Sequence, residues 1–266
     1  MINPVSLIND FVDEKLQGNI NKLVSFDIAQ LQGDRKYGSC NGSSFDCDNT
    51  NISRAIYALV FEGVWKNMNY DTLGDWKYRG DTINTFNTTF GKPVEEGGFL
   101  GLNHFEPDEK MLQRVTRFRS LYHTIGNFVV LPNAYIGRNS LNTFRGSYYK
   151  WRDYIDQFIN SLYDYLTNPQ KIENEIFLQL MELNKEDFEP YHGEDGFNLL
   201  LSKLLLDDCI DETGCPKRLF DVVYYWNSSL TREAYLDHVI RYIDFCEPFI
   251  VKRGKKIVEI LESKIR

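Results

Sequence analysis

Apolar residues recur every three or four positions through much of this chain, the spacing that lines one face of a helix. From Val5 to Leu16 the stripe is Val5, Leu7, Ile8, Phe11, Val12 and Leu16. A second runs from Ser53 to Trp65, with Ile56, Leu59, Val60 and Val64 on one side and Asp48 or Asn49 as its N-terminal cap. A third spans Asp108 to Tyr122 (Met111, Leu112, Val115, Phe118), with Asp108 as cap and Glu109 in the first turn. Trp151, Tyr154, Ile155, Phe158, Ile159 and Leu162 make a fourth, stopped at Asn168-Pro169. Helices from Lys171 to Leu183 and from Phe197 to Cys209 follow, then a break at Gly214-Cys215-Pro216. Val222 to Trp226 reads as a short strand or an apolar helical turn. Thr231 opens a last long helix to about Ile265, with a kink expected at Pro248.

The pattern changes at Phe128-Val129-Val130-Leu131, a dense apolar run between Asn127 and Asn133 that ends in Pro132. It predicts a buried strand, terminated where proline removes a ladder donor. Gly33 to Gly38, Cys40 to Ser44, Tyr70 to Trp76 and Gly97 to Gly101 read as turns and loops. Gly80 to Phe86 reads as an ordered polar loop, because its Asp, Asn and Thr side chains can hold neighbouring backbone amides. The fold expected is helix-dominated α+β: a small β-sheet in the N-terminal half and a helical C-terminal half. We expect one domain over 1–266, mixed up to 147 and helical from 148.

Composition narrows the function classes. The net charge is −8, which opposes the basic field of a non-specific nucleic-acid binder. Two basic groups, Arg114 with Arg117 and Arg119, and Lys252 with Arg253, Lys255 and Lys256, read as solvated helix faces. No apolar run is long enough to span a bilayer, and Met1-Ile2-Asn3-Pro4-Val5 lacks the pattern of a signal peptide. A cytoplasmic protein is expected, with its five cysteines reduced. Six residues separate Cys40 from Cys47 and five separate Cys209 from Cys215, too many for a zinc knuckle, so no metal is expected there. His192 lies in a polar loop and reads as solvated, His238 as part of a surface charge cluster with Asp237 and Arg241. His123, beside the strand, is expected to bond a backbone carbonyl.

Several segments carry a resemblance. Gly80-Asp81-Thr82-Ile83-Asn84-Thr85-Phe86, Thr124-Ile125-Gly126-Asn127, Leu141-Asn142-Thr143-Phe144-Arg145-Gly146 and Leu204 to Asp208 together resemble an uncharacterised bacterial family, over about residues 25 to 260. That resemblance implies a bacterial or phage-borne cytosolic protein and supplies no activity, substrate or cofactor. The stretch from Asn103 to Arg145 also resembles a degenerate His-Asn-His nuclease motif: His104 with Pro107 first, Asn127 second, Asn142 with Arg145 third. The motif implies one Mg²⁺-like ion held by Asn142, His104 taking a proton from water, and Asn127 orienting His104. The chain departs from it at Asn103, where an anionic or imidazole ligand is required, and Glu106 replaces it only if turned inward.

The leading expectation is therefore a protein- or small-ligand-binding protein without catalysis and without a cofactor. Its candidate binding residues are Asp81, Thr82, Asn84, Thr124, Asn127 and Arg145. The alternative is a metal-dependent nuclease acting on phosphodiesters through His104, Asn127 and Asn142.

Overall fold

The computed structural model describes residues 2–40, 44–74, 77–84, 108–142, 155–217 and 232–265. Helix α1 (Pro4–Leu16) starts after Asn3, whose side chain accepts the Ser6 N–H, and Pro4 occupies the first position, where its missing N–H is no loss. It buries Leu7, Ile8, Phe11, Val12 and Leu16. Helix α2 (Asn51–Val60) is shorter than its stripe predicts and is capped by neither Asp48 nor Asn49. Thr50 is the cap: its Oγ1 accepts the Ser53 N–H at 3.2 Å. The two expected caps lie in a 3₁₀ turn, Cys47–Asn49, and face a strand instead.

That strand is β1 (Tyr78–Thr82), so Gly80, Asp81 and Thr82 leave the loop that local side-chain chemistry predicts and join a sheet. Helix α3 (Glu109–Leu121) is capped as expected by Asp108, which accepts the Met111 N–H at 2.8 Å. Strand β2 (Phe128–Pro132) follows, buried at every position and ending at the proline. Strands β1 and β2 pair antiparallel, Gly80 opposite Val130 and Asp81 opposite Val129. The ladder extends beyond the strands, through Asn133 N–H to Lys77 O and Ile83 N–H to Asn127 O, both 2.7 Å.

A two-stranded ribbon has two open edges, and unpaired backbone groups there must find partners. Side chains supply them. On the β2 edge, Trp65 Nε1 donates to Val130 O at 2.9 Å and the Arg253 guanidinium donates to Phe128 O. On the β1 edge, Asn49 takes both groups of Gly80: Oδ1 accepts its N–H at 2.9 Å and Nδ2 donates to its carbonyl at 3.1 Å.

The C-terminal half is helical: α4 (Ile155–Thr167), α5 (Glu175–Leu183), α6 (Lys185–Phe188), α7 (Gly193–Lys203) and α8 (Arg232–Ile265). α5 begins after Asn174 rather than at Lys171, because the Asn174 side chain caps it. α7 begins earlier than its apolar stripe and ends at Lys203, with Leu205 in the left-handed region at φ 58°. α8 runs through Pro248 as one helix. It passes so close to Gly126 that a Cβ there would lie 2.1 Å from the Ile250 carbonyl.

Arg253 corrects the reading of the C-terminal basic group as a solvated face. It is 1% exposed, and its guanidinium donates to the carbonyls of Leu204, Gly126 and Phe128. Burial lowers its pKa to about 10. Its neighbours Lys252 and Lys256 do face outward and pair with Asp208 and Asp207. Arg114 and Arg117 pair with Asp244 and Glu247 of α8. A shared buried cluster runs from Leu7 on α1 through β2 to Leu261 on α8. The architecture is helix-dominated α+β with its small sheet in the N-terminal half, as expected. Among the described residues no helix is long and apolar enough to cross a membrane.

Candidate functional site

The polar residues of this fold concentrate along β1. On its outer edge, the Cys47–Asn49 turn packs against Gly80 so closely that a Cβ there would sit 2.0 Å from the Asp48 carbonyl. Glycine at this position is what lets the turn and strand meet. Tyr57 on α2 fixes the turn from the other side by donating to the Asp48 carbonyl at 2.8 Å.

Two carboxyl groups converge here. Asp46 Oδ2 and Asp48 Oδ1 both accept from Asn49 Nδ2, at 2.9 and 2.8 Å. Asp46 also takes Arg79 Nη2 at 2.9 Å, and Asp48 Oδ2 takes Thr82 Oγ1 at 3.2 Å. Burial alone would raise the Asp46 carboxyl, but hydrogen bonds from Asp48, Arg79 and Asn49 outweigh it and hold Asp46 below the usual carboxylate range. Asp48 goes the other way. Full burial, the hydrogen bond and charge of Asp46, and the charge of Asp81 push it well above that range, against the Thr82 hydroxyl. The two carboxyls are pushed apart, Asp48 toward its neutral acid and Asp46 toward its anion, as happens where neighbouring carboxyls compete for one proton.

The inner end of the strand is held differently. Asn127 is fully buried and its whole amide is used by backbone: Oδ1 accepts the Asn84 N–H at 3.0 Å, and Nδ2 donates to the carbonyls of Asn84 at 3.1 Å and Tyr122 at 2.9 Å. Thr124 precedes it, fully buried, with its hydroxyl on the Leu121 carbonyl. Asn84 is also fully buried, yet among the described residues neither its Oδ1 nor its Nδ2 has a hydrogen-bond partner. Asn142 donates to the Arg79 carbonyl at 3.2 Å, while its buried Oδ1 has no partner among the described residues.

The structure thus brings Thr82, Asn84, Thr124 and Asn127 to one end of the sheet, with Asp81 one residue before Thr82. It places Asn142 beside Arg79, at the other end of β1. Asn84 and Arg79 are five residues apart, roughly 16 Å along an extended chain. His104 and Arg145 lie outside the described residues, as do Asn103, Glu106, Pro107, Gly97 to Gly101 and Val222 to Trp226; so does the His238 side chain. The carbonyl bond expected of His123 is replaced by a carboxylate neighbour: Nδ1 lies 3.9 Å from Asp27 Oδ1, beyond hydrogen-bond reach. Burial lowers the pKa of this imidazole against the opposing pull of Asp27. His192 is exposed, as expected.

Asp46, Asp48 and Asn49 are the residues that sequence reasoning missed as a site. The signal was present, since Asp46-Cys47-Asp48-Asn49 sets two carboxyls and an amide within four residues, but it was read as a helix cap. Among the described residues no group of three or more His, Cys, Asp and Glu side chains is placed to hold a metal, and the Asn127 amide is fully engaged with backbone. Comparison with known proteins finds no family model, no curated protein and no solved structure that matches this chain.

Proposed function

We propose that the chain is a small-ligand-binding protein without catalytic chemistry, and that its site is the Thr82–Asn84 end of β1. One observation carries this. Asn84 is fully buried with both side-chain amide atoms unpartnered among the described residues, while Asn127 grips its backbone N–H and carbonyl. A buried polar group left unmatched costs about 1–3 kcal/mol. Binding sites carry such groups because the ligand supplies the missing partners. The Asn84 amide offers one acceptor beside one donor, so the matching ligand presents one donor beside one acceptor, as carboxamides and nucleobase edges do. The clasp from Asn127 fixes the amide in advance of binding, which lowers the ordering cost. The motif order that resembles an uncharacterised bacterial family brings no competing activity to this reading.

The test is a thermal-shift screen of the purified chain against nucleobases, nucleosides and small carboxamides, followed by titration calorimetry with wild type and Asn84→Ala. The expected result is a ligand that stabilises wild type and binds Asn84→Ala at least about tenfold more weakly, the size of one lost hydrogen bond. Asn84→Ala without ligand should unfold at or above the wild-type temperature, since the deleted amide bonds none of the described residues. A lower unfolding temperature together with no ligand response would assign Asn84 to the fold and sink the proposal.

A further inference from the structure

The hydrogen-bond count around Asn49 does not close without one more proton. Its Nδ2 carries two hydrogens, yet three oxygens lie within 3.1 Å: Asp46 Oδ2, Asp48 Oδ1 and the Gly80 carbonyl. Two ionised carboxylates and a carbonyl cannot share two hydrogens without repulsion between the charges. A proton between Asp46 and Asp48 removes the conflict and leaves Asn49 free to hold Gly80.

We propose that the Asp46–Asp48 pair is a proton-operated latch on β1: the shared proton keeps Asn49 seated on Gly80, and its loss frees the outer edge of the strand and the Thr82–Asn84 end with it. The latch builds on the binding reading only in which site its opening loosens. Its groups are arranged for this. Among the described residues no cation pairs with Asp48, and the nearby Arg79 guanidinium donates to Asp46. From β1 Asp81 adds negative charge, and from its own turn Cys47 contributes a thiol whose pKa burial raises to about 12. From α2 the Tyr57 hydroxyl faces the Asp48 carbonyl, with its own ionisation pushed well up by burial and then by Asp48. From α8 Arg253 lies near Tyr57, with its donors on carbonyls. Asp27 and His123 stand farther out, near Cys47 and Asp46. A second charge on Asp48 therefore finds only the neutral donors of Asn49 and Thr82 among the described residues, and relief comes from the carboxyl swinging outward, which pulls on both.

The direction follows from linkage. The neutral acid of Asp48 persists in the fold after the unfolded chain has lost its proton, so raising the pH from about 4 removes stability until Asp48 itself ionises. The latch is shut at low pH and opens as Asp48 titrates.

Amide hydrogen exchange at Gly80, whose N–H rests on Asn49 Oδ1, reads the latch without any ligand. It would be measured from about pH 4 to about pH 9, corrected for intrinsic rates, on the full chain as wild type, Asp48→Asn and Asp46→Asn. The expected wild-type protection falls by about tenfold or more as pH rises, while Asp48→Asn stays flat because the titrating acid is gone and Asp46→Asn moves the fall to lower pH because Asp46 no longer opposes Asp48 ionisation. Flat wild-type protection overturns the latch, as does the same decline in Asp48→Asn and Asp46→Asn. If Asp48→Asn does not fold, Asp46→Asn decides alone. With a ligand from the screen, affinity should fall with pH in wild type and not in Asp48→Asn. A pH-independent affinity beside an opening Gly80 would overturn the coupling to the site, and absence of any ligand counts against the binding reading alone.

Discussion

Asn127 holds Asn84 by both sides of its peptide unit, accepting the N–H at 3.0 Å and donating to the carbonyl at 3.1 Å. A side-chain amide here does the work of another residue of strand, continuing the ladder past Ile83 where β1 has ended. Asn127→Ala should therefore leave three buried backbone groups unmatched. We expect a loss of about 3 kcal/mol or more in urea unfolding. Asn127→Asp, which keeps an acceptor but loses the donor and buries a charge, should do no better. A loss under about 1 kcal/mol would show that the clasp is dispensable.

Gly126 and Gly80 mark the two closest backbone approaches around the sheet. A methyl group at Gly126 would sit 2.1 Å from the Ile250 carbonyl, and one at Gly80 would sit 2.0 Å from the Asp48 carbonyl. Neither neighbour is a flexible side-chain end, so the packed backbone must move. Gly126→Ala should separate α8 from the sheet and cost about 2–3 kcal/mol, measured by thermal unfolding. Gly80→Ala should instead push the Cys47–Asn49 turn off β1, and should raise hydrogen exchange at residues 80 to 84 more than at α8.

Arg253 ties α8 to Gly126, Phe128 and Leu204 through one guanidinium. Lysine gathers its three donors on one nitrogen and lacks the planar fork that spreads them over separate carbonyls. Arg253→Lys should lower stability by about 3 kcal/mol, since carbonyls of the sheet and of the α7 end lose their donors. Recovery of the wild-type denaturation midpoint by Arg253→Lys would mean that charge alone suffices.

Leu205 adopts φ 58° just past α7, where its amide and that of Leu206 close the helix end onto Ser202 and Leu201. A leucine there carries a steric cost that glycine lacks. Leu205→Gly should be stabilising or neutral, within about 1 kcal/mol, despite the lost apolar side chain. A large loss would show that the side chain packs more than the backbone strains.

His123 should make the fold acid-sensitive. Burial lowers its pKa, so the unfolded chain binds that proton first as pH falls. Stability is expected to decline below about pH 6.5, and His123→Gln should flatten that decline in pH-dependent thermal unfolding. An unchanged profile would move the acid sensitivity to other groups.

What the sequence by itself determined here was local. The stripes of α1 and α3, the Asp108 cap and the apolar run ending at Pro132 are set by periodicity and short-range chemistry, and these elements stand where that chemistry puts them. The structure alone decided the partners. Gly80-Asp81-Thr82 became strand because β2 and Asn49 offered partners for its backbone, which no local pattern announces. Asp48 and Asn49 looked like helix caps because cap residues and edge-bridging residues share the same short polar side chains. Arg253 looked solvated because a charge enters a core only where several carbonyls converge, and those of Gly126, Phe128 and Leu204 lie at least 49 residues away in the chain. The unmatched amide of Asn84 belongs to the same class: sequence places an asparagine after β1, and only tertiary packing takes the water away from it.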